Sequence, residues 1–182
     1  MLEFDDIRLE CCKDVYCPRE DSFILMDAVK QFAFGPVLDL GCGTGIQGIT
    51  ALKKGLDVTF ADIDKKALEC TKNNIKINSL EGKVVESNMF SSIDKRYNTI
   101  IFNPPYLISD KLNAIALDGG REGRHSIDIF LSEFNNYVLP EHIILLLESS
   151  LNNYYKDVKK YNAEIVQINK NFFETLVVLK FR

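Results

Sequence analysis

The sequence Asn103-Pro104-Pro105-Tyr106 follows a buried apolar run and combines residue types that can hold a nitrogen nucleophile. The two prolines fix φ, end strand pairing and leave carbonyl groups without competing N–H donors. The Asn103 side-chain oxygen and the Pro104 carbonyl can therefore accept both hydrogens of a planar NH₂ group, while Tyr106 packs on its face. A nitrogen held in this way is oriented for attack on an electrophilic methyl group, and no general base is needed at first.

A second motif lies upstream, where a buried strand runs into a glycine turn that opens a helix. The glycines stand at 41, 43 and 45, and Ile46 occupies the place of the third glycine in a dinucleotide-binding turn. This spacing favours a nucleoside cofactor that lacks a pyrophosphate. Asp39 at the strand's end suits a cationic amino group, directly or through water, although Asp39 and the glycines could instead only shape the turn.

Two further polar residues follow predicted strands. Asp62 comes 21 residues after Gly41, where a carboxylate can accept both hydroxyl groups of a ribose. Asp64, two residues later, is more simply the N-cap of the next helix. The side-chain oxygen of Asn88 can accept a hydrogen bond from an adenine amino group, or Asn88 can merely form a turn.

The motifs meet only if their strands lie side by side, and the rest of the chain predicts such a sheet. Strand-like runs alternate with stretches of helical period, which is typical of βαβ units and a mostly parallel sheet. Strands are predicted at residues 36–40, 57–61, 83–86, 98–102, 142–147, 163–169 and 173–181. Helices are predicted at 21–34, with Asp21 or Ser22 as N-cap, and at 46–54, 64–78, 122–138 and 151–161. The last two strands are joined by too little chain for a crossover helix, so an antiparallel hairpin should end the sheet.

Composition narrows the class of protein. The 182 residues carry 22 Lys and Arg against 26 Asp and Glu, a net charge of −4, and 46% of them are hydrophobic. A single soluble domain is therefore expected, without the basic surface of a dedicated duplex-binding protein. The longest apolar runs are too short to cross a bilayer, and the first ten residues lack the pattern of a secretory signal, so we expect a cytoplasmic protein.

The cysteines predict neither disulfides nor a metal site. The odd set of five contains no C-x-x-C pair, which favours reduced thiols used in packing. The five positions are Cys11, Cys12, Cys17, Cys42 and Cys70.

Taken together, the two motifs resemble those of class I S-adenosylmethionine-dependent methyltransferases, specifically the HemK/PrmC-type protein-glutamine methyltransferases. Residues 15–23, 119–124 and 174–181 match the short archaeal and eukaryotic release-factor subgroup. The resemblance implies a Rossmann-like domain over residues 1–182, with a cofactor-covering segment and helix in 1–34 and the core in 35–182. It also implies methyl transfer to the glutamine amide nitrogen in the Gly-Gly-Gln loop of a class 1 peptide release factor.

The resemblance also implies a set of site residues. S-adenosylmethionine, and S-adenosylhomocysteine as product, would be bound by Ser22, Asp39, Gly41, Gly43, Asp62, Asn88 and Asn103. Asn103, Pro104 and Tyr106 would hold the substrate glutamine. Two residues depart from the family pattern, because Asn88 stands where Asp is usual and Cys17 stands where many relatives have an acidic residue. No metal ligand is implied.

Partners follow from the resemblance as well. Short members of the group commonly work with a small zinc-binding activator protein, which could add a strand to the predicted edge strand Lys83–Glu86. The charges of this strand fit a protected edge equally well. Arg121 and Arg124, after the Asn-Pro-Pro-Tyr motif, could meet an acidic protein surface or RNA phosphate, or could simply be solvated.

Other functions stay open. The same acceptor pair would serve an exocyclic amine of a nucleic acid, N6 of adenine or N2 of guanine, although the net charge counts against this. An inactive cofactor-binding scaffold is a third possibility. A nicotinamide-dependent oxidoreductase fits poorly, because the third glycine and a hydride-transfer set are missing.

Overall fold

The elements of secondary structure alternate along the chain, and the computed structural model describes them for residues 1–105 and 123–182. The strands are β1 (Leu2–Phe4), β2 (Ile7–Leu9), β3 (Val37–Leu40), β4 (Val58–Asp62), β5 (Lys83–Glu86), β6 (Tyr97–Phe102), β7 (Val138–Ser149), β8 (Glu164–Lys170) and β9 (Thr175–Phe181). The helices are α1 (Glu20–Phe32), α2 (Ile46–Lys53), α3 (Lys65–Ile77), α4 (His125–Glu133) and α5 (Tyr155–Tyr161). Short 3₁₀ turns occupy Phe134–Tyr137 and Ser150–Asn152.

Seven strands form one sheet in the order β5-β4-β3-β6-β7-β9-β8. Neighbours from β5 to β7 are parallel, whereas β9 runs antiparallel to both β7 and β8. The predicted mostly parallel sheet with a terminal antiparallel hairpin is confirmed. Strand β7 is longer than predicted and begins where the predicted helix 122–138 was to end, and the predicted helix at 151–161 starts with a 3₁₀ turn instead.

Alternate residues along each central strand face opposite layers of helices. On β3, Val37 packs with α1, α2 and α3, whereas Leu38 packs with α4 and α5. On β7, Leu145 and Leu146 divide in the same way. Successive residues of a strand point to opposite faces of the sheet, so a sheet that is buried on both faces needs apolar residues at consecutive positions. None of the helices in the described ranges is long and apolar enough to span a membrane.

A small N-terminal hairpin, β1–β2, was not predicted. Its Ile7 and Leu9 are fully buried in the core. Asn74 of α3 and Asn78 directly after α3 hold the hairpin through its backbone, since Asn74 Oδ1 accepts from Glu10 N at 2.8 Å and Asn78 Oδ1 accepts from Arg8 N at 3.0 Å. Strand β2 of the hairpin therefore packs against α2 and α3.

The cysteine prediction was wrong. Disulfide bonds join Cys11 to Cys17 and Cys12 to Cys70, and Cys42 is the free, buried cysteine of the described residues. Sequence reasoning missed them because Cys12 and Cys70 lie 58 residues apart and only the fold brings α3 beside the segment that follows β2. The two disulfide bonds therefore fix residues 11–17, because one joins the ends of this segment and the other joins it to α3.

Helix caps agree only in part with the predictions. Asp64 is confirmed as N-cap of α3, since its side chain accepts from Lys66 N at 2.9 Å. The prediction of Asp21 or Ser22 as N-cap of α1 was wrong, because the helix begins at Glu20 after Arg19. Asp21 and Ser22 lie within its first turn and are buried.

Candidate active site

A cavity of about 1050 Å³ opens where the parallel strands end. The carboxyl ends of such strands are the usual ligand site of open α/β sheets. Its lining includes every predicted cofactor-site residue, together with Pro104 of the predicted substrate site: Ser22, Asp39, Gly41, Gly43, Asp62, Asn88, Asn103 and Pro104. The predicted Tyr106 and Arg121 lie outside the described residues. The fold therefore gathers residues from 22 to 104 around one space.

The glycine turn brings backbone rather than side chains to this cavity. Gly41 and Gly43 have φ of +63° and +55°, a conformation that side-chain-bearing residues rarely adopt. A Cβ at Gly41 would meet the Phe102 ring at 3.4 Å, whereas a Cβ at Gly43 would have open space around it. The backbone conformation, and not crowding, thus favours glycine at position 43.

Asp39 is buried behind the turn. Its Oδ2 accepts from Gly48 N at 2.8 Å, and only 2% of the residue is exposed. Burial raises the pKa of Asp39 to about 8, the charge of Asp62 adds to the rise, and the Gly48 bond opposes it. The residue both shapes the turn, as the alternative interpretation expected, and lines the cavity.

Asp62 lies half-buried at the end of β4. Its Oδ2 accepts from Gly43 N at 3.0 Å and its Oδ1 from Asp64 N at 2.9 Å. Desolvation raises the pKa of Asp62, whereas these backbone hydrogen bonds lower it. Each carboxylate oxygen keeps a second lone pair, so acceptors remain for ligand hydroxyl groups.

Asn88 occupies a turn and also lines the cavity. Its carbonyl accepts from Ser91 N at 3.1 Å, and Ser91 Oγ accepts from Asn88 N at 3.2 Å. Met89 follows with a positive φ of 48°. The turn thus leaves the Asn88 side chain exposed beside the cavity.

Asn103 has one amide atom engaged and one without a partner. Its Nδ2 donates to Asp21 Oδ2 at 3.0 Å. Its Oδ1 is buried and has no hydrogen-bond partner within residues 1–105 and 123–182. A buried acceptor without a donor is costly unless a ligand supplies one. Asn103 therefore offers an acceptor to a bound N–H group.

Asp21 is a site residue that sequence reasoning assigned wrongly to a helix cap. It is 3% exposed and also accepts from Tyr16 Oη at 2.8 Å and from Ser22 Oγ at 3.3 Å. The available signal was its position, since Asp21 shares a helical face with the apolar Leu25 and Ala28. A carboxylate on the buried face of a helix indicates a specific partner.

The segment from Cys12 to the start of α1 forms part of the cavity lining. Asp14, Val15, Tyr16, Pro18 and Arg19 line it, and the Asp14 carboxylate accepts from Lys66 Nζ of α3 at 2.7 Å. This stretch thus forms a wall of the cavity on the side of Asp21.

Arg124 does not have the solvated or partner-binding position that was expected. It is buried and donates to the Asn152 carbonyl at 2.6 Å, to Asp128 at 2.8 Å and to Glu148 at 3.3 Å. Its Nη2 also lies 2.8 Å from Asp157 Oδ2. Arg124 is therefore a structural ion-pair residue behind the site.

The two histidines differ in their position relative to the cavity. His125, at the start of α4, is exposed at the cavity lining, and His142 bonds to the Leu139 carbonyl at 2.8 Å, away from the cavity. No cluster of His, Cys, Asp or Glu that could hold a metal ion occurs in the part of the chain that the structure describes.

Comparisons with known proteins show the family of the chain. The methyltransferase small domain matches residues 18–117. A protein of Methanocaldococcus jannaschii named "Putative protein N5-glutamine methyltransferase" is 33% identical over 98% of this chain and 97% of its own length. The ribosomal RNA small subunit methyltransferase C of Buchnera aphidicola is 43% identical, but over 46% of this chain and 25% of that protein.

A solved structure gives the same fold. The methyltransferase from Pyrococcus furiosus superposes with a TM-score of 0.75 at 17% identity, covering 97% of this chain and 89% of that one. The family match, the full-length relative and the fold all indicate a methyltransferase. The chain is a member of the methyltransferase small-domain family and an enzyme that uses S-adenosylmethionine as methyl donor.

Proposed function

We propose that the protein methylates the side-chain amide nitrogen of the glutamine in the Gly-Gly-Gln loop of a class 1 peptide release factor. The observation that carries the proposal is the Asn103 amide, whose Nδ2 is engaged and whose Oδ1 is a buried acceptor without a partner among the described residues. Pro104, the next residue, is buried and adds a carbonyl. Together they offer two acceptors to one planar NH₂ group.

The residues of the cavity fit the methyl donor. Asp62 would accept from its ribose hydroxyl groups, Asp39 would face its amino group, and Asn88 would accept from its adenine. Gly41 and Gly43 keep the turn free of side chains beside it. S-adenosylmethionine, when bound, supplies a methyl group on a positively charged sulfur.

The acceptor pair acts on the substrate nitrogen. As that nitrogen exchanges one hydrogen for a methyl group, its N–H groups become more positive, so Asn103 Oδ1 and the Pro104 carbonyl bind the transition state more tightly than the ground state. The displaced hydrogen leaves as a proton. Orientation of a weak nucleophile can contribute up to roughly 7 to 11 kcal/mol.

A protein substrate is favoured by the comparisons and by charge. The similarity to the named protein-glutamine methyltransferase runs through both chains, whereas that to the ribosomal RNA enzyme covers about half of this chain. A net charge of −4 gives little attraction for phosphate. The partial match keeps methylation of an exocyclic amine in RNA as the second candidate.

We further propose that a small zinc-binding activator docks on β5, which is an edge of the sheet. Val84 and Val85 of this strand are half-buried, and a shallow cavity of about 540 Å³ adjoins it, lined by residues that include Ile75 and Leu80 of the α3 region. An added strand would bond to the free backbone of β5 while its side chains reach that cavity. The two charged residues of β5 are paired with neighbours, Lys83 with Asp94 and Glu86 with Lys65.

The experiment is transfer of labelled methyl from S-adenosylmethionine to purified release factor and to ribosomal RNA, each with and without the activator. Label on the release factor, increased by the activator, supports the proposal. Label on RNA alone transfers the assignment to the second candidate. Label that is unchanged by the activator contradicts the docking proposal and leaves the substrate proposal standing.

A further inference from the structure

We propose that Asp21 is a positioning residue that decides which atom of the Asn103 amide faces the substrate. The two residues are 82 positions apart and meet because the first turn of α1 lies beside the residue that follows β6. This inference rests on the proposed role of Asn103 and adds the residue that controls it.

The hydrogen-bonding groups of Asp21 and Asn103 determine the orientation of the Asn103 amide. An ionised carboxylate accepts hydrogen bonds and cannot donate them, whereas an asparagine amide has a donor end and an acceptor end. Asp21 Oδ2 therefore selects the NH₂ end of Asn103, which lies 3.0 Å away. The oxygen end is left for another donor.

Two further donors keep Asp21 in place. Tyr16 Oη and Ser22 Oγ both bond to its Oδ1, so Oδ2 stays free for Asn103. Tyr16 belongs to the segment fixed by the Cys11–Cys17 disulfide, which ties the network to the wall of the cavity. The carboxylate therefore has little freedom to turn away.

The opposite orientation of the Asn103 amide would leave both of its ends without a hydrogen bond. Its oxygen would lie against the Asp21 carboxylate, with two acceptors and no hydrogen between them. Its NH₂ would face the substrate NH₂, with donors on both groups. Asp21 thus makes position 103 an acceptor and selects substrates that present an N–H donor.

The test compares Asp21→Asn with the wild type and with Asp27→Asn, a matched control on the exposed side of α1. A neutral amide at 21 tolerates either orientation of Asn103. We expect kcat on the release factor to fall about 10- to 100-fold, with affinity for S-adenosylhomocysteine unchanged within about threefold. The swap Asp21→Asn/Asn103→Asp restores a donor at 21 and an acceptor at 103, and it should recover at least about tenfold over Asp21→Asn.

A second readout needs no substrate. With ¹⁵N-labelled asparagine, one Asn103 side-chain N–H of the wild type should be shifted downfield and exchange slowly, unlike that of the exposed Asn135, and the Asp21→Asn protein should lose this signal. If the wild type lacks the signal, or Asp21→Asn keeps kcat within threefold, Asp21 does not orient Asn103. Equal losses of kcat and of S-adenosylhomocysteine affinity, or a swap that recovers nothing, would also overturn the inference. A wild type that leaves the release factor unlabelled refutes the proposed function, and the NMR comparison still decides on Asp21.

Discussion

The Asp39 carboxylate accepts a hydrogen bond from Gly48 N at 2.8 Å and so ties the end of β3 to the first turn of α2. Burial raises its pKa to about 8 in the ligand-free protein. A carboxyl group with this pKa is largely protonated at pH 6 and largely ionised at pH 9. Binding of a cationic amino group requires the ionised form.

The affinity for S-adenosylhomocysteine should therefore rise with pH. Because binding lowers the pKa of Asp39 and releases its proton, we expect up to about tenfold tighter binding for each pH unit between 6 and 8, and a plateau above 8. Calorimetric titrations from pH 6 to 9 measure this. In Asp39→Asn the slope should flatten and the affinity at pH 8 should fall. An equally steep slope in that variant would assign the pH dependence to another group.

Asn103→Ala should separate catalysis from cofactor binding. Without the Oδ1 acceptor, kcat should drop by about 100-fold or more, because the stabilisation is lost mainly in the transition state. S-adenosylhomocysteine should still bind within about fivefold of wild type, measured by calorimetry. Full activity in this variant would mean that the acceptor lies elsewhere. No activity in either protein, with cofactor binding intact in both, would mean that the release factor is not the substrate.

The Cys12–Cys70 disulfide should be a major source of stability. It spans 58 residues, for which the chain-entropy relation gives about 4 kcal/mol, against about 2 kcal/mol for the 6-residue span of Cys11–Cys17. Urea unfolding of the paired serine variants, Cys12→Ser/Cys70→Ser and Cys11→Ser/Cys17→Ser, tests the difference. Equal losses of the free energy of unfolding, or none, would contradict the assigned connectivity.

Arg124→Met should destabilise the protein more at high pH than at low pH. Glu148 and Asp157 are both nearly inaccessible beside Arg124, and burial raises the pKa of Glu148 to about 8, with the charge of Asp157 adding to it. A raised carboxyl pKa means that stability is lost as the pH rises toward 8, and removing the cation increases that loss.

We expect Arg124→Met to lower the free energy of unfolding by about 3 to 5 kcal/mol at pH 8 and by less at pH 5. Urea unfolding at the two pH values measures it, with the exposed Arg96→Met as control. A loss independent of pH would show that packing, and not charge, is what Arg124 contributes.

The order and the approximate positions of the sheet strands could be predicted from the sequence, because buried strands appear as short apolar runs. Asp39, Asp62 and Asn103 lie within one residue of the carboxyl ends of β3, β4 and β6, and parallel strands bring such ends together. The β1–β2 hairpin was missed because each of its strands has three residues, too few for a pattern.

Contacts between distant residues could not be predicted in the same way. The Cys12–Cys70 bond and the Asp21–Asn103 bond join positions 58 and 82 apart, and each residue had a plausible local role. Asp21 looked like a helix cap because acidic residues at helix starts usually are. Its place on the apolar face of α1 indicated burial, and the fold shows which residue its side chain meets.

The proposed role of Asn103 and Pro104 is to present a glutamine amide for methylation. Peptide mass spectrometry of release factor, incubated with S-adenosylmethionine and either wild-type protein or the Asn103→Ala variant, tests this role. We expect one added methyl group on the glutamine of the Gly-Gly-Gln loop with wild-type protein only. A methyl group on any other residue, or equal labelling by the variant, would contradict it.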